Sequence, residues 1–401
     1  MKQLLALIFC SCFFTGYSQF KADNVKYKTV FPEDLCKTLK DNPGFVLLDV
    51  RSDGEFNDTM SASPSLNIGH MENALHVNIT QLPQRWRELT AYKDKPVFIY
   101  CSHSQRSRRA SRLLADSGFS NIYNVNGGLT DFYSQGIQSA GCDGYSIVST
   151  VPYKIISPKQ LANSKTSYYI IDLRDDSAFT GKSLDERVKM QGRFTNATNI
   201  PFEKLQASIS GIPSKPVLLV DDVGAKSPLA AKMLLEKGFK DVSILFNGMD
   251  EWLSYVINET QKRDVEWKSY SNFKMLSPDE FDKWMKKKNN FTLIDVRPKD
   301  QFNNQSKNYW ENIGQVQNAI NIPFSELPSA TNLPSKSNAV VVYGFNAQND
   351  IFNAAKWLNG QGYKNVYVLQ GGIWNLRWAS HNIKNKQYLN DWVVNVPTEN
   401  Q

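Results

Sequence analysis

One pattern occurs three times along this chain at a constant step. "VLLDVRSDGEF" from Val46, "YIIDLRDDSAF" from Tyr169 and "TLIDVRPKDQF" from Thr292 each join an apolar run to an Asp-x-Arg turn, with a phenylalanine five residues after the arginine. The aspartates stand at 49, 172 and 295, a step of 123 residues both times. Further blocks follow in the same order in every copy. The second is "IGHMENALHV", "GRFTNATNIP" and "IGQVQNAINIP"; the third is "KPVFIYCSHSQRSRRASRLLADSGF", "KPVLLVDDVGAKSPLAAKMLLEKGF" and "NAVVVYGFNAQNDIFNAAKWLNGQGY". Each copy closes with a short strand and a glycine, as in "IYNVNGGLTDF", "VSILFNGMDEW" and "VYVLQGGIWNL". A period of this length is domain-sized, well beyond a solenoid unit. The 401 residues therefore divide into three like domains, expected at 24–145, 150–265 and 270–395, each with its own core.

Within a copy, short apolar strands alternate with amphipathic helices. The expected class is α/β, a parallel sheet flanked by helices on both faces. Ligands of such sheets bind beyond the carboxyl ends of the strands. Cys101 lies there, where "VFIY" ends and an arginine-rich segment begins. The helix that follows shows Ala110, Leu113 and Leu114 on one face and stops at Gly118, an apolar stripe with a C-terminal glycine. In the second copy Ser227 reads as the helix cap and Pro228 as the first helical residue.

The N-terminus reads as an address. Lys2 precedes "LLALIFCSCFF", too short to span a bilayer, and "TGYSQ" supplies small and polar residues after it. Residues 1–18 are expected to be a signal peptide cut near Ser18, which places the mature chain in the periplasm or outside the cell. A lipoprotein anchored at Cys10 or Cys12 is the minor alternative, disfavoured by Phe9. No later run reaches membrane-spanning length. Without the signal, Cys36, Cys101 and Cys142 remain, an odd number that excludes a dense disulfide framework. Cys36 reads as a buried small hydrophobe and Cys142 as linker, with a Cys36–Cys142 pair as the oxidised alternative. A hydrophobic share of 41% and a charged share of 21% describe a globular chain. The net charge of +7 is spread along it without a basic arm, so no nucleic-acid partner is expected.

These motifs resemble those of the rhodanese-like sulfurtransferase family, three tandem domains covering nearly everything after the signal peptide. The family's active loop follows the central strand, opens with a cysteine and carries a basic residue five positions later; Cys101 and Arg106 match in "CSHSQRS". The resemblance implies catalytic roles for Cys101 and Arg106, and substrate contacts from Arg51, Ser102, His103, Ser104, Gln105 and Ser107. Asp49 is expected to hold the turn, and Gly69 and His70 match the family's Gly-His block. A loop wrapped ahead of a helix aims several N–H groups at one spot and adds the helix dipole, which favours a thiolate. The implied chemistry is a Cys101 persulfide formed from a small sulfane-sulfur anion such as thiosulfate and passed to cyanide or a thiol. It requires no cofactor and no metal.

Two rival readings are weighed against it. Cysteine phosphatases of similar fold place five residues between cysteine and arginine, where this loop has four, and position 100 is Tyr100 instead of histidine. A non-catalytic binding or scaffold protein is the second rival. It is sustained by the other two copies, where Asp221 and Lys226 replace Cys101 and Arg106, and where Gly344 or Phe345 and Asp350 stand in the third. Those copies are read as inactive, structural or docking a protein partner. The recurrence of Asp-x-Arg in all three gives Asp49, Asp172 and Asp295 a turn-stabilising ion pair whether or not a thiol is present, so that Arg51 is expected to serve both the turn and the substrate. His70 and His76 read equally well as packing near strand ends, and Arg108, Arg109 and Arg112 as a solvated helix face.

Overall fold

A computed structural model describes residues 26–137, 146–258, 266–287 and 290–397. The signal-peptide segment with Cys10 and Cys12, and the linker cysteine Cys142, lie outside the described residues. Cys36 is not the plain hydrophobe expected: it is half-buried and disulfide-bonded. No helix among the described residues is long and apolar enough to cross a membrane.

Three five-stranded sheets share one topology. In the first, the spatial order is Lys28–Val30, Ile122–Val125, Val97–Tyr100, Val46–Asp49, Leu75–His76, and every neighbouring pair is parallel. The second and third sheets repeat that order, again with parallel pairs only. The central strand Val97–Tyr100 is buried along its whole length, as a strand covered on both faces must be. Its side chains alternate between two cores. Phe98 and Tyr100 join Leu35, Leu39 and Phe132 on one face, and Val97, Ile99 and Cys101 join Ala110 and Leu114 on the other. Each such large apolar side chain contributes about 2 kcal/mol by leaving water. After the last helix of each domain the chain folds back as a two-residue antiparallel strand: Ile147–Val148 on His70–Met71, Trp267–Lys268 on Arg193–Phe194, and Val393–Val394 on Gln315–Val316.

Asp-x-Arg forms the same unit three times. The backbone N–H of Arg51 donates to Asp49 Oδ1 at 2.9 Å, its Nη2 donates to Asp49 Oδ2 at 2.7 Å, and the same Nη2 reaches the Gly69 carbonyl at 2.6 Å. Arg174 does this with Asp172 and Gly192, and Arg297 with Asp295 and Gly314. Each unit ties the end of the second strand to the second sequence block, which explains why it persists without the cysteine. Phe56, from the same motif, lies between His70 and His76, with ring centroids 4.0 and 4.4 Å away. Both histidines pack near strand ends, each donating a ring N–H to a backbone carbonyl, that of Phe56 for His70 and that of Arg51 for His76.

The three domains meet head to tail. Tyr133, on the last helix of the first domain, stacks on Phe246 of the second at 5.2 Å. Lys356 of the third domain pairs with Glu186 of the second at 2.9 Å. Along this joint a cavity of about 630 Å³ separates Leu253 and Ser254, on the second domain's last helix, from Met275, Gln370 and Trp374. The last helix of the third domain, Gly372–Asn382, ends against the first: the carbonyls of His381 and Asn382 accept from Asn126 Nδ2, and Lys384 pairs with Asp34 at 2.7 Å. Asn126, Phe246 and Gln370 each follow the strand beside the central one. The joints are therefore one heterologous contact repeated until it closes.

Candidate active site

The loop from Cys101 to the helix Gln105–Asp116 is short, and its shape follows from what it must avoid. The carbonyl of Cys101 accepts from Leu129 N at 2.9 Å, so the loop leans on the start of the last helix. There Gly128, at φ +59°, leaves no room for a side chain: a Cβ would lie 2.3 Å from that carbonyl. Asp221 and Gly344 make the matching contact with Met249 and Ile373. This fixes the third copy: Gly344, not Phe345, stands at the cysteine position. With Ile351 buried at the place of Ser107, Asp350 stands at the arginine position, so the third loop is one residue longer than the first. A Cβ on Gly344 would meet Ile351 at 2.7 Å. The nucleophile's place in that domain is filled with hydrocarbon.

Cys101 is the free cysteine among the described residues and is 1% exposed. Its Sγ accepts the backbone N–H of Ser104 at 3.1 Å and lies 3.6 Å from Ser107 Oγ. Ser104 reaches this geometry with φ +84°, in the left-handed region that non-glycine residues avoid. Its Oγ donates to Asn126 Oδ1 at 3.0 Å. Ser107 Oγ donates to Asn124 Oδ1 at 2.7 Å. Ser102, Ser104 and Ser107 are all buried, whereas His103 and Gln105 are exposed at the rim. Desolvation by the surrounding loop, followed by the charge of Arg106, lowers the His103 pKa.

Arg106 is an ion-paired cation. Its guanidinium grips Glu55 with both arms, Nη1 to Oε2 at 2.5 Å and Nη2 to Oε1 at 2.7 Å, and Nη2 also reaches Ser102 Oγ at 2.7 Å. Glu55 is 1% exposed. Burial alone would raise its pKa, but the hydrogen bonds and charge of Arg106, with the hydrogen bonds of Ser52, outweigh this and lower it to about 2. Sequence reasoning missed Glu55. Two signals were present: Ser52-x-x-Glu55 is a capping box, and Ala178 and Gln301 replace the glutamate in the copies that lack the cysteine.

Arg51 requires a correction. Expected to face a substrate anion, it is fully buried and engaged with Asp49 and the Gly69 carbonyl. It presents no donor to solvent. Asp49 Oδ1 accepts the backbone N–H of Arg51 at the turn.

The second domain shows what the loop amides bind. The Asp221 carboxylate accepts from the backbone N–H groups of Gly224, Lys226 and Ser227, the last at 2.8 Å. In consequence Ser227 is not the helix cap expected. It is already helical, with Lys226 before it and Pro228 one position further in. The equivalent amides in the first domain are those of Ser104, Arg106 and Ser107. Asp221→Ala should strip three loop amides of their acceptor and lower stability by about 2–4 kcal/mol in denaturant unfolding. Sulfur loading at Cys101, measured on the same folded sample, should not change.

The chain belongs to the rhodanese-like domain family, whose model matches residues 32–135, 157–255 and 277–377. Among curated relatives it is 39% identical over 106 residues to the Bacillus subtilis uncharacterized protein YqhL, spanning 25% of this chain and 75% of that protein. It is 31% identical over 110 residues to the tRNA uridine(34) hydroxylase of Cytophaga hutchinsonii, spanning 27% of this chain and 31% of the hydroxylase. Among solved structures, a thiosulfate sulfurtransferase from Pseudomonas aeruginosa matches at 16% identity and a TM-score of 0.23, covering 86% of this chain and 66% of that one.

Proposed function

We propose that the first domain is a sulfurtransferase that carries sulfane sulfur on Cys101. The observation that supports it best is the placement of Sγ at the mouth of the helix Gln105–Asp116, 3.1 Å from the Ser104 amide, in a loop whose counterpart holds a carboxylate on three amides. In the first step the Cys101 thiolate attacks the outer sulfur of thiosulfate. A sulfur–sulfur bond forms, and sulfite leaves with the electrons of the bond that breaks. In the second step cyanide or a thiolate attacks the terminal sulfur, giving thiocyanate or a new persulfide, and the thiolate of Cys101 is restored. The Ser104, Arg106 and Ser107 amides stabilise the negative terminal sulfur between the steps, as fixed N–H donors do for developing anions. Arg106, neutralised by Glu55, contributes mainly by shaping the loop.

The hydroxylase activity of some relatives is not carried over, since the chain spans about a third of their length. Export belongs to the same proposal, with the mature chain beginning near Gln19. Thiosulfate and cyanide supplied together should yield thiocyanate catalytically. A chain that is inert towards sulfane donors, in a folded sample, would leave the scaffold reading in its place.

A further inference from the structure

We propose that the third domain, which has no nucleophile, completes the active loop of the first, with Asn382 and Asn126 as positioning residues. The inference rests on the sulfur-transfer reading only for its biological meaning, because the geometry concerns Cys101 itself.

The path is continuous. Asn126 Nδ2 donates to the carbonyls of His381 and Asn382, both at 3.1 Å. Arg108 Nη2 donates to Asn126 Oδ1 and to Asn382 Oδ1, both at 3.1 Å. Ser104 Oγ donates to Asn126 Oδ1 at 3.0 Å and accepts from Gly127 N, while Ser104 N reaches Cys101 Sγ at 3.1 Å. Asn126 is fully buried and Asn382 is 2% exposed. A carbonyl accepts only from the NH2 end of an asparagine, and an arginine donates only to the oxygen end. The third domain therefore decides which end of Asn126 faces the loop, and the oxygen end is the one Ser104 needs.

The other copies supply the control. Where the second domain has the same left-handed loop position, it uses Gly224 at φ +77° and has Phe246 in place of Asn126. A glycine needs no such restraint. A serine held at φ +84° does. The domain that keeps the thiol is the one whose loop residue is locked from a neighbour.

The test uses the full chain and two readouts: the rate of Cys101 alkylation by iodoacetamide across pH, and sulfur loading from thiosulfate. Asn382→Ala, which leaves the backbone carbonyls on Asn126 in place and removes only the Oδ1 acceptor that holds Arg108, should slow both at pH 7 by about fivefold, the effect of one lost hydrogen bond, and shift the pH profile of alkylation. Asn126→Ala should do more, and the double variant should be no worse than Asn126→Ala alone, since both act on one path. Asn382→Asp, which keeps an acceptor for Arg108 but loses the Nδ2 donor to the Trp378 carbonyl, should restore part of the rate. Lys384→Ala, which breaks the 2.7 Å pair with Asp34 but touches nothing in the loop, should leave both readouts unchanged. An unaltered alkylation profile in Asn382→Ala, additive effects in the double variant, or an equal effect from Lys384→Ala would overturn the proposal. A wild-type chain that alkylates as described yet takes no sulfur would overturn the sulfur-transfer reading and leave the positioning role standing.

Discussion

Cys101→Ser is expected to take up no sulfur, whereas the wild-type chain incubated with thiosulfate gains about 32 Da at Cys101, the mass of one persulfide sulfur. The expectation follows from nucleophile chemistry. A serine hydroxyl is almost wholly protonated at neutral pH, is far less polarizable than a thiolate and forms no persulfide. The substitution is also nearly isosteric, and the Ser104 amide that donates to Sγ at 3.1 Å can donate to an oxygen, so the fold is kept and the loss is chemical. Intact-protein mass and a melting curve on the same sample separate the two. A folded Cys101→Ser chain that still turns over, or mass added elsewhere in the wild type, would remove Cys101 from the reaction.

Arg106→Ala is expected to damage stability as well as transfer, because it leaves Glu55 buried and unpaired. Removing one partner of a buried pair costs about 3–5 kcal/mol, more than the pair itself contributes. Arg106→Ala with Glu55→Gln should recover most of the stability, since no buried charge is then stranded, but should not recover the loading rate. Denaturant unfolding of the three variants measures the first effect and mass-resolved loading the second. The pair also sets a pH dependence. The Glu55 pKa falls from an ordinary 4.5 to about 2 in the fold, so its stabilisation is complete above pH 4.5 and is lost as pH falls through 2. The full linkage is about 3 kcal/mol. Wild type should therefore lose stability across that window more steeply than Glu55→Gln. Parallel curves would mean that the ion pair does not form in solution.

Much of this molecule was legible in the sequence because its strongest signals are repeated. A strand buried on both faces must be apolar throughout, so "VFIY", "VLLV" and "AVVVY" stand out as central strands three times over, and the constant step fixes the domain number. The loop was legible for a similar reason, since a cysteine between an apolar run and a helix start has few neutral explanations. Other features were not legible because they depend on what a side chain meets. The ion pair of Arg51 with Asp49 was legible from the recurring turn, but the full burial that keeps Arg51 from solvent was not. The partner of Arg106 was not legible, because Glu55 lies 51 residues earlier. The third copy's register was ambiguous by one residue until the backbone contact of Gly344 with Ile373 fixed it. The bond from Asn126 to Asn382 crosses 256 residues and belongs to no motif.

Two peptide connections join three domains, yet the domains share three joints. The joint between the third domain and the first is the one that no connection enforces. It is held at the high effective concentration that tethering confers, so a modest contact is enough to keep it closed. A single cut in either connection would leave every domain gripped by both neighbours. The nucleophile's loop rests on that unenforced joint, through Asn126 and the end of the helix Gly372–Asn382. The geometry around Cys101 thus reports whether the ring is shut.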